Sequence, residues 1–174
     1  MNHVPWHDLS GHHTPNRVFT QPDTPTLPVT GAWRDGDDPG ARKFIDIGDL
    51  VLESGEVLPN VRIAYQEWGE RNAADSNAVL INHALTGWAD VAAWWPSMVG
   101  PGMPFDTDRY YVVCPNVIGG CQGSTGPASI APDGKPWGSR FPRITVRDQV
   151  AAEVAFSDAL GINRYVLSVG PSLG

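Results

Sequence analysis

The chain ends in the stretch Arg164-Tyr165-Val166-Leu167-Ser168-Val169-Gly170-Pro171-Ser172-Leu173-Gly174, which decides the fold. An apolar run leads directly into a G-x-S-x-G pattern, the sequence of a sharp turn between a strand and a helix. Such a turn holds a serine hydroxyl away from the backbone, where a base can activate it as a nucleophile. Glycines at both ends let neighbouring backbone approach closely. The stretch predicts a buried strand over 164–169 and a nucleophile, Ser172.

The segment before this strand has the pattern of a helix over 145–160. Thr145 is a suitable N-cap, Asp148 follows three residues later, and Gly161 is a C-terminal stop. One apolar face is predicted from residues spaced four apart, namely Val146, Val150 and Val154. Because a capped helix and a buried strand precede the turn, the alternative that Ser172 lies in an ordinary turn is the weaker interpretation.

Shorter apolar runs upstream predict further strands. They comprise a strand pair at 44–47 and 50–52 with a turn at 54–55, and strands at 61–68, 77–83 and 110–115. The alternation in 61–68 indicates a half-exposed strand, whereas the continuous runs 77–83 and 110–115 indicate strands buried on both faces. An antiparallel start followed by strands that alternate with crossovers predicts an α/β fold with a mainly parallel sheet.

The first 43 residues differ from the rest, since they are rich in proline and lack sustained periodicity. Such a segment buries too little apolar surface to offset its ordering cost, so we predict a flexible Pro-rich N-terminal arm over 1–43. Four of the five histidines lie in it, at His3, His7, His12 and His13. A solvated tail is favoured over a metal site, because no carboxylate or cysteine pattern accompanies them.

Composition excludes several classes of protein. A net charge of −7 argues against a nucleic-acid partner, which requires a basic face. No apolar run approaches the roughly 20 residues that a membrane helix needs, and the first residues have no signal-peptide pattern. Cys114 and Cys121 are therefore predicted to be reduced thiols in a cytoplasmic protein, with no metal site.

The G-x-S-x-G turn is typical of the nucleophile elbow of the α/β-hydrolase fold, which requires an oxyanion hole. One donor is the main-chain N–H of Leu173, after the nucleophile, and the loop after strand 77–83 supplies Leu85 as the other. We assign His83 a structural role, since the acid and base of this fold follow the serine. No such residue follows Ser172, so we expect 44–174 to be the N-terminal part of an incomplete domain, truncated after the elbow and inactive by itself.

Longer motifs resemble the homoserine O-acetyltransferase family over 44–174. They read H-A-L-T-G at 83–87, W-W at 94–95, G-P-G at 100–102, N-V-I-G-G-C-Q-G-S-T-G-P at 116–127 and D-G-K-P-W-G-S-R-F-P at 133–142. The motif at 116–127 is the most specific, and a match over this length does not arise by chance. We interpret its Gly-rich part, 119–126, as a structural loop rather than a phosphate cradle, because no P-loop lysine follows.

The resemblance implies an acyl transfer in methionine biosynthesis. Ser172 would take an acetyl group from acetyl-CoA, a co-substrate with no bound cofactor, and pass it to the hydroxyl of L-homoserine. Leu85 and Leu173 would hold the oxyanion, and Thr86 and Asn116 would line the acceptor pocket as substrate-binding residues. The partners would be these small molecules, with no nucleic acid and no membrane, and a homodimer of the full-length protein stays open.

The elbow departs from the family's G-G-S-M-G-G, since Pro171 precedes the serine and Leu173 follows it. Proline is tolerated where no N–H is needed, and leucine still supplies a main-chain donor. The acceptor and the acyl group therefore stay open: a serine or homoserine O-succinyl- or O-acetyltransferase is one alternative, and an esterase of the same fold is another. A truncated product without activity is the non-enzymatic alternative.

Overall fold

A computed structural model describes residues 31–174. Its strands are β1 (Lys43–Val51), β2 (Val57–Trp68), β3 (Ala78–Ile81), β4 (Val99–Gly100), β5 (Phe105–Asp106), β6 (Tyr111–Pro115) and β7 (Leu167–Val169). Its helices are α1 (Val91–Trp94) and α2 (Val146–Ala159), with a 3₁₀ turn at Gly138–Arg140. The main sheet has the strand order β1-β2-β6-β3-β7, and β4 pairs with β5 in a small separate sheet.

The main sheet is mixed. β1 pairs with β2, and β2 with β6, in antiparallel fashion, whereas β3 is parallel to both β6 and β7. Only β2 therefore runs against the other four strands of this sheet. The predicted α/β fold with an antiparallel start and mainly parallel strands is confirmed. Because β3, β6 and β7 are parallel, their carboxyl ends lie along one edge of the sheet, where such folds bind ligands.

The first hairpin differs from its prediction in one respect. Residues 44–47 and 50–52 do not form two strands, since β1 is continuous and the predicted turn at 54–55 joins it to β2. The pairing register shifts on both sides of Gly48, which has a φ of 77°. Such a bulge adds an unpaired residue and disrupts the alternation of the two faces. The break in the apolar pattern therefore marks a bulge and not a strand end.

The second strand is more buried than its alternating sequence predicts. Residues 61–66 are all buried except Arg62, so the prediction of a half-exposed strand is wrong. Beyond the end of β6 the loop at 116–125 takes over the pairing with β2. The main-chain N–H of Asn116 donates to Ala64 at 2.7 Å, and that of Thr125 donates to Arg62 at 2.9 Å. This loop thereby becomes part of the sheet edge where the candidate site lies.

The two central strands, β3 and β6, are buried on both faces as predicted. Alternate residues of β3 belong to different apolar clusters, because side chains in a strand point to opposite faces. Ala78 and Leu80 pack in the cluster that contains Phe156 of α2. Val79 and Ile81 pack in a second cluster with Val91 of α1. The parallel part of the sheet thus forms the centre of the molecule and gives the site a rigid base.

The long helix begins at the predicted cap. Thr145 accepts a hydrogen bond from the N–H of Asp148, and the Asp148 carboxylate accepts one from the N–H of Thr145, which is a complete capping box. The same carboxylate accepts a hydrogen bond from the N–H of Glu53 at 2.6 Å. These contacts explain why a charged residue is buried at this position. The hydrogen bond from Glu53 also ties the start of α2 to the β1–β2 hairpin.

The valine face of this helix does not pack against the sheet. The residues that do so are Asp148, Ala152 and Phe156. Val146, Val150 and Val154 form one face, as predicted, but they are 65%, 51% and 56% exposed. The four-residue spacing is shared by both sets, and the apolar pattern alone cannot say which set faces the sheet.

The last strand is an edge strand and not the buried strand predicted over 164–169. β7 pairs with β3 on one side only, and Val166 and Leu167 are 47% and 45% exposed. A parallel strand is buried when it has neighbours on both sides and cover on both faces. Among residues 31–174, β7 has one neighbour, so its apolar sequence does not place it in the core.

Residues 31–42 belong to the predicted arm, and they contact the sheet. The N–H of Trp33 donates to the carbonyl of Cys121 at 2.8 Å, and its ring centroid lies 5.0 Å from that of Phe44. The guanidinium of Arg62 lies over both rings. The rest of the predicted arm, residues 1–30, lies outside the described residues, and its flexibility stays a prediction.

No helix in 31–174 combines the length and apolarity needed to span a bilayer.

Candidate active site

The predicted nucleophile lies in a tight turn directly after β7. Ser172 has a φ of 61°, a left-handed conformation that costs a residue with a side chain about 1–2 kcal/mol. The N–H of Gly174 closes the turn by donating to the carbonyl of Pro171 at 3.3 Å. Strain of this kind persists only where surrounding structure holds it, and it is typical of a nucleophile elbow.

The two glycines of the motif permit this turn to pack on the end of β3. A β-carbon at Gly170 would lie 2.7 Å from the carbonyl oxygen of Asn82, and one at Gly174 would overlap the same oxygen. Real β-carbons do not approach other atoms so closely, so neither position accepts a side chain unless the backbone moves. A β-carbon at Gly170 would also overlap the main chain of Gly174, so contacts with the residue after β3 and between the two glycines explain the G-x-S-x-G spacing.

A cleft of about 260 Å³ lies beside the elbow, at the carboxyl edge of the sheet. Its walls are formed by the turn after β3, by residues 116–122, by Leu173, and by Ile144 and Gln149 at the start of α2. No sequence motif marks Gln149 or Ile144 as a site residue, because the two reach the cleft only through the tertiary fold, which places the start of α2 along it.

Leu85 and Leu173, the residues of the two predicted oxyanion donors, both line this cleft. Leu85 lies in a turn that the N–H of Gly87 closes by donating to the carbonyl of Ala84 at 2.7 Å. Neither the N–H of Leu85 nor that of Leu173 donates to any group within 31–174. Free main-chain donors on one cleft are what a developing oxyanion needs, since each can lower a barrier by about 3 kcal/mol.

His83 lies at the end of β3 and both of its ring nitrogens are occupied. Nδ1 lies 2.7 Å from the carbonyl oxygen of Ala84, and Nε2 accepts the N–H of Val117 at 3.3 Å. A carbonyl only accepts and an N–H only donates, so the imidazole is neutral with its proton on Nδ1. Burial lowers the pKa of His83 below its ordinary value, although its bond to Ala84 opposes this. These contacts agree with the structural role that the sequence predicts.

Within the part of the chain that the structure describes, Ser172 has no base. His83 is the only histidine in this part, and no side chain here makes a hydrogen bond to the Ser172 hydroxyl. No group of histidine, cysteine and carboxylate side chains in 31–174 is arranged to hold a metal ion. The described residues therefore supply the serine, beside Leu173, and two N–H groups without a partner in 31–174, but no group that accepts a proton from the serine.

The two predicted substrate-binding residues differ in position. Asn116 lines the cleft, but it is only 2% exposed and both ends of its amide bind main-chain groups. Thr86 is exposed at the tip of the turn and does not line the cleft.

The two cysteines differ in exposure, and both thiols are free. Cys121 is exposed and lines the cleft. Cys114 is buried, and its burial raises the pKa of its thiol.

Curated relatives of this chain are homoserine O-acetyltransferases. That of Thermobifida fusca (strain YX) is 54% identical over 87% of this chain and 43% of the relative. That of Leifsonia xyli subsp. xyli is 48% identical over 97% of this chain and 46% of the relative. The chain thus spans less than half the length of these relatives. No model of a protein family matches it.

Solved structures resemble the fold. Esterase E22 has a TM-score of 0.72 at 33% identity, covering 76% of this chain and 41% of that one. The homoserine O-acetyltransferase from Bacillus anthracis has a TM-score of 0.71 at 28% identity, covering 76% and 40%. The sequence relatives are about 50% identical to this chain over most of its length, and together with the structural likenesses they identify its family. The chain belongs to the homoserine O-acetyltransferase family, which has the α/β-hydrolase fold.

Proposed function

We propose that the protein containing this chain transfers an acetyl group from acetyl-CoA to the hydroxyl of L-homoserine, with Ser172 as the nucleophile. One observation carries the proposal: the strained elbow places Ser172 directly before Leu173, which lines one cleft together with Leu85, and neither leucine N–H donates to another group within 31–174. The names of the sequence relatives support the acetyl group and homoserine as its acceptor.

The reaction would proceed through an acyl-enzyme. The Ser172 Oγ attacks the thioester carbonyl, and the N–H groups of Leu85 and Leu173 stabilise the oxyanion of the tetrahedral intermediate. Coenzyme A then leaves as the thiol, and the acetyl group stays on Ser172. In the second half of the reaction, the homoserine hydroxyl attacks the acyl group. The tetrahedral intermediate that forms then collapses to O-acetylhomoserine and free Ser172.

Both halves need a group that takes up and returns a proton. The serine proton must pass to a base and then to the departing thiolate, and the homoserine proton must pass through that base to the Ser172 Oγ as the acetyl group leaves it. No group within 31–174 is placed to do this, because both nitrogens of His83 are engaged. The relatives are more than twice as long as the aligned segment, so we assign the base and its orienting acid to the part of the protein corresponding to that remainder.

Hydrolysis is the second candidate function. Esterase E22 and an acetylester hydrolase from Corynebacterium glutamicum resemble this chain with TM-scores of 0.72 and 0.69. Water can attack the same acyl-serine when no alcohol is bound, so the two reactions share every step up to the acyl-enzyme. Serine as acceptor and succinyl-CoA as donor are variants of the first candidate. In each of them, we propose that Thr86, which is exposed near the cleft, contacts the acceptor.

The test joins residues 1–174 to the part of the Thermobifida fusca relative that this chain does not cover. Thiol release from acetyl-CoA is measured with and without homoserine. Serine then replaces homoserine as the acceptor, and succinyl-CoA replaces acetyl-CoA as the donor. We expect release that depends on homoserine and is lost in Ser172→Ala. Release without an acceptor would assign hydrolysis instead, and equal activity in Ser172→Ala would refute the nucleophile. The 174-residue chain alone is expected to be inactive.

A further inference from the structure

The amide of Asn116 joins the two walls of the cleft. Its Oδ1 accepts a hydrogen bond from the N–H of Ala89 at 2.6 Å, just after the turn that carries Leu85. Its Nδ2 donates to the carbonyl of Gln122 at 2.7 Å, in the Gly-rich loop on the other wall. The side chain therefore spans the space between two loops that have no regular secondary structure of their own.

Asn116 is itself fixed to the sheet. Its N–H donates to the carbonyl of Ala64 on β2 at 2.7 Å, and its carbonyl accepts the hydroxyl of Ser124 at 2.6 Å. That hydroxyl also accepts the N–H of Ala64 at 2.9 Å. A residue with its main chain anchored in this way provides a fixed point from which the amide can hold both loops.

The neighbour of Asn116 holds the other end of the same turn. The N–H of Val117 donates to His83 Nε2, and the opposite nitrogen of that ring bonds the carbonyl of Ala84 at the start of the turn. Between these two attachments Leu85 is 76% exposed, so side-chain packing does little to hold it. The hydrogen bond from Gly87 to Ala84 closes the turn, and the hydrogen bonds from 116 and 117 attach it to the other wall of the cleft.

We propose that Asn116 is a positioning residue, which aims the Leu85 N–H at the oxyanion and sets the width of the cleft, and does not bind the acceptor. The proposal rests on the function proposed above, in which Leu85 is an oxyanion donor. An oxyanion forms only in the reaction, so misplacing its donor slows turnover without weakening substrate binding. A residue that bound the acceptor would instead raise KM when removed.

Asn77 supplies a matched control at the opposite end of β3. It is 9% exposed, and its amide also bridges main-chain groups, donating to the carbonyls of Glu70 and Arg109 and accepting the N–H of Asn72. Removing either amide takes hydrogen-bond partners away from main-chain groups, so both replacements are expected to destabilise the fold. Only the replacement at 116 removes contacts with the walls of the cleft.

The kinetic test uses the joined protein described above. Asn116→Ala is expected to lower kcat about 10-fold or more, because an oxyanion donor is misplaced, with the KM for homoserine changed less than about twofold. Asn77→Ala should leave both constants near those of the parent. Asn116→Asp keeps an acceptor for the Ala89 N–H, so its kcat should lie between those of the parent and Asn116→Ala. A raised KM with unchanged kcat would overturn the proposal, and so would an equal loss of kcat in Asn77→Ala.

A second measurement does not depend on activity. In the 174-residue chain, amide hydrogen exchange should show Ala89 losing protection in Asn116→Ala and keeping it in Asn77→Ala and Asn116→Asp. Unchanged protection of Ala89 in Asn116→Ala would refute the hydrogen bond by which Asn116 holds this wall of the cleft. Should the joined parent protein fail to transfer acetyl groups while Ala89 behaves as expected, the proposed function fails and the structural part of the inference stands.

Discussion

A β-carbon on Gly170 would overlap the main chain of Gly174 and lie 2.7 Å from the carbonyl oxygen of Asn82, so the elbow can close on itself and rest on the end of β3 only because residue 170 has no side chain. The N–H of Asn82 donates to the carbonyl of Val169 at 2.9 Å, which ties the last residue of β7 to the same point. The position of Ser172 therefore depends on contact between two strands that are distant in sequence.

This contact predicts the effect of Gly170→Ala. The added methyl group would overlap the main chain of Gly174 and crowd the carbonyl of Asn82, and overpacking of this kind costs roughly 1–3 kcal/mol in the free energy of unfolding. Urea denaturation of the 174-residue chain measures the change. Gly31→Ala is the control, since its β-carbon would meet nothing within 4 Å. Equal midpoints for the two variants would contradict the close approach.

The positive φ of Ser172 predicts that activity and stability oppose each other at this residue. Ser172→Gly removes strain of about 1–2 kcal/mol, partly offset by the greater entropy of unfolded glycine, for a net gain of roughly 0.5–1 kcal/mol. Ser172→Ala keeps the β-carbon and should show no such gain. Both variants lack the hydroxyl, so the difference between their unfolding midpoints isolates the backbone strain. A glycine variant no more stable than the alanine variant would argue against the left-handed conformation.

His83 predicts a loss of stability in mild acid. Its pKa is lowered in the folded state, mainly by burial, so below about pH 6.5 the unfolded chain takes up a proton more readily than the folded one. The contribution of His83 is thus fully present above the unfolded pKa and is lost as the pH falls toward the folded value. Urea denaturation at pH 7.5 and pH 5.5 should show a smaller loss in His83→Gln than in the parent chain, and equal losses would refute the assignment.

The two faces of α2 predict opposite responses to substitution. Phe156 is fully buried against Tyr65, and Phe156→Ala should cost about 3–5 kcal/mol. Val150 is 51% exposed, and Val150→Lys should change the free energy of unfolding by no more than about 0.5 kcal/mol. The comparison is made by denaturation at several protein concentrations. A large cost for Val150→Lys that grows with concentration would mean that copies of the chain bury this face against one another.

Much of the fold was predictable because its signals are local. The elbow motif, the capping box of Thr145 and Asp148, and the apolar runs of β3 and β6 each lie within a few residues of one another. The bulge at Gly48 was not predicted, because an interrupted alternation has the same appearance as two short strands. The exposed edge position of β7 was not predicted either, since an apolar run does not reveal how many neighbours a strand has.

The candidate site was predictable in part for the same reason. Ser172, Leu85 and Leu173 follow from motif positions at strand ends, and His83 was given its structural role from chain order. Asn116 was assigned to the substrate because its motif resembles that of a family, and its sequence gives no sign that its amide is already bonded on both sides. Gln149 was missed because it is near the cleft only through packing.

By itself the sequence determined the strand-turn-helix chemistry of the elbow, the order of the strands along the chain and the family resemblance, since these depend on neighbouring residues and on motif spacing. The tertiary structure alone decided which face of α2 is buried and why residue 170 must be glycine. It also decided which group holds the Leu85 turn. Each of these depends on atoms brought together from distant parts of the chain, as in the hydrogen bond between Asn116 and Ala89 across 27 positions.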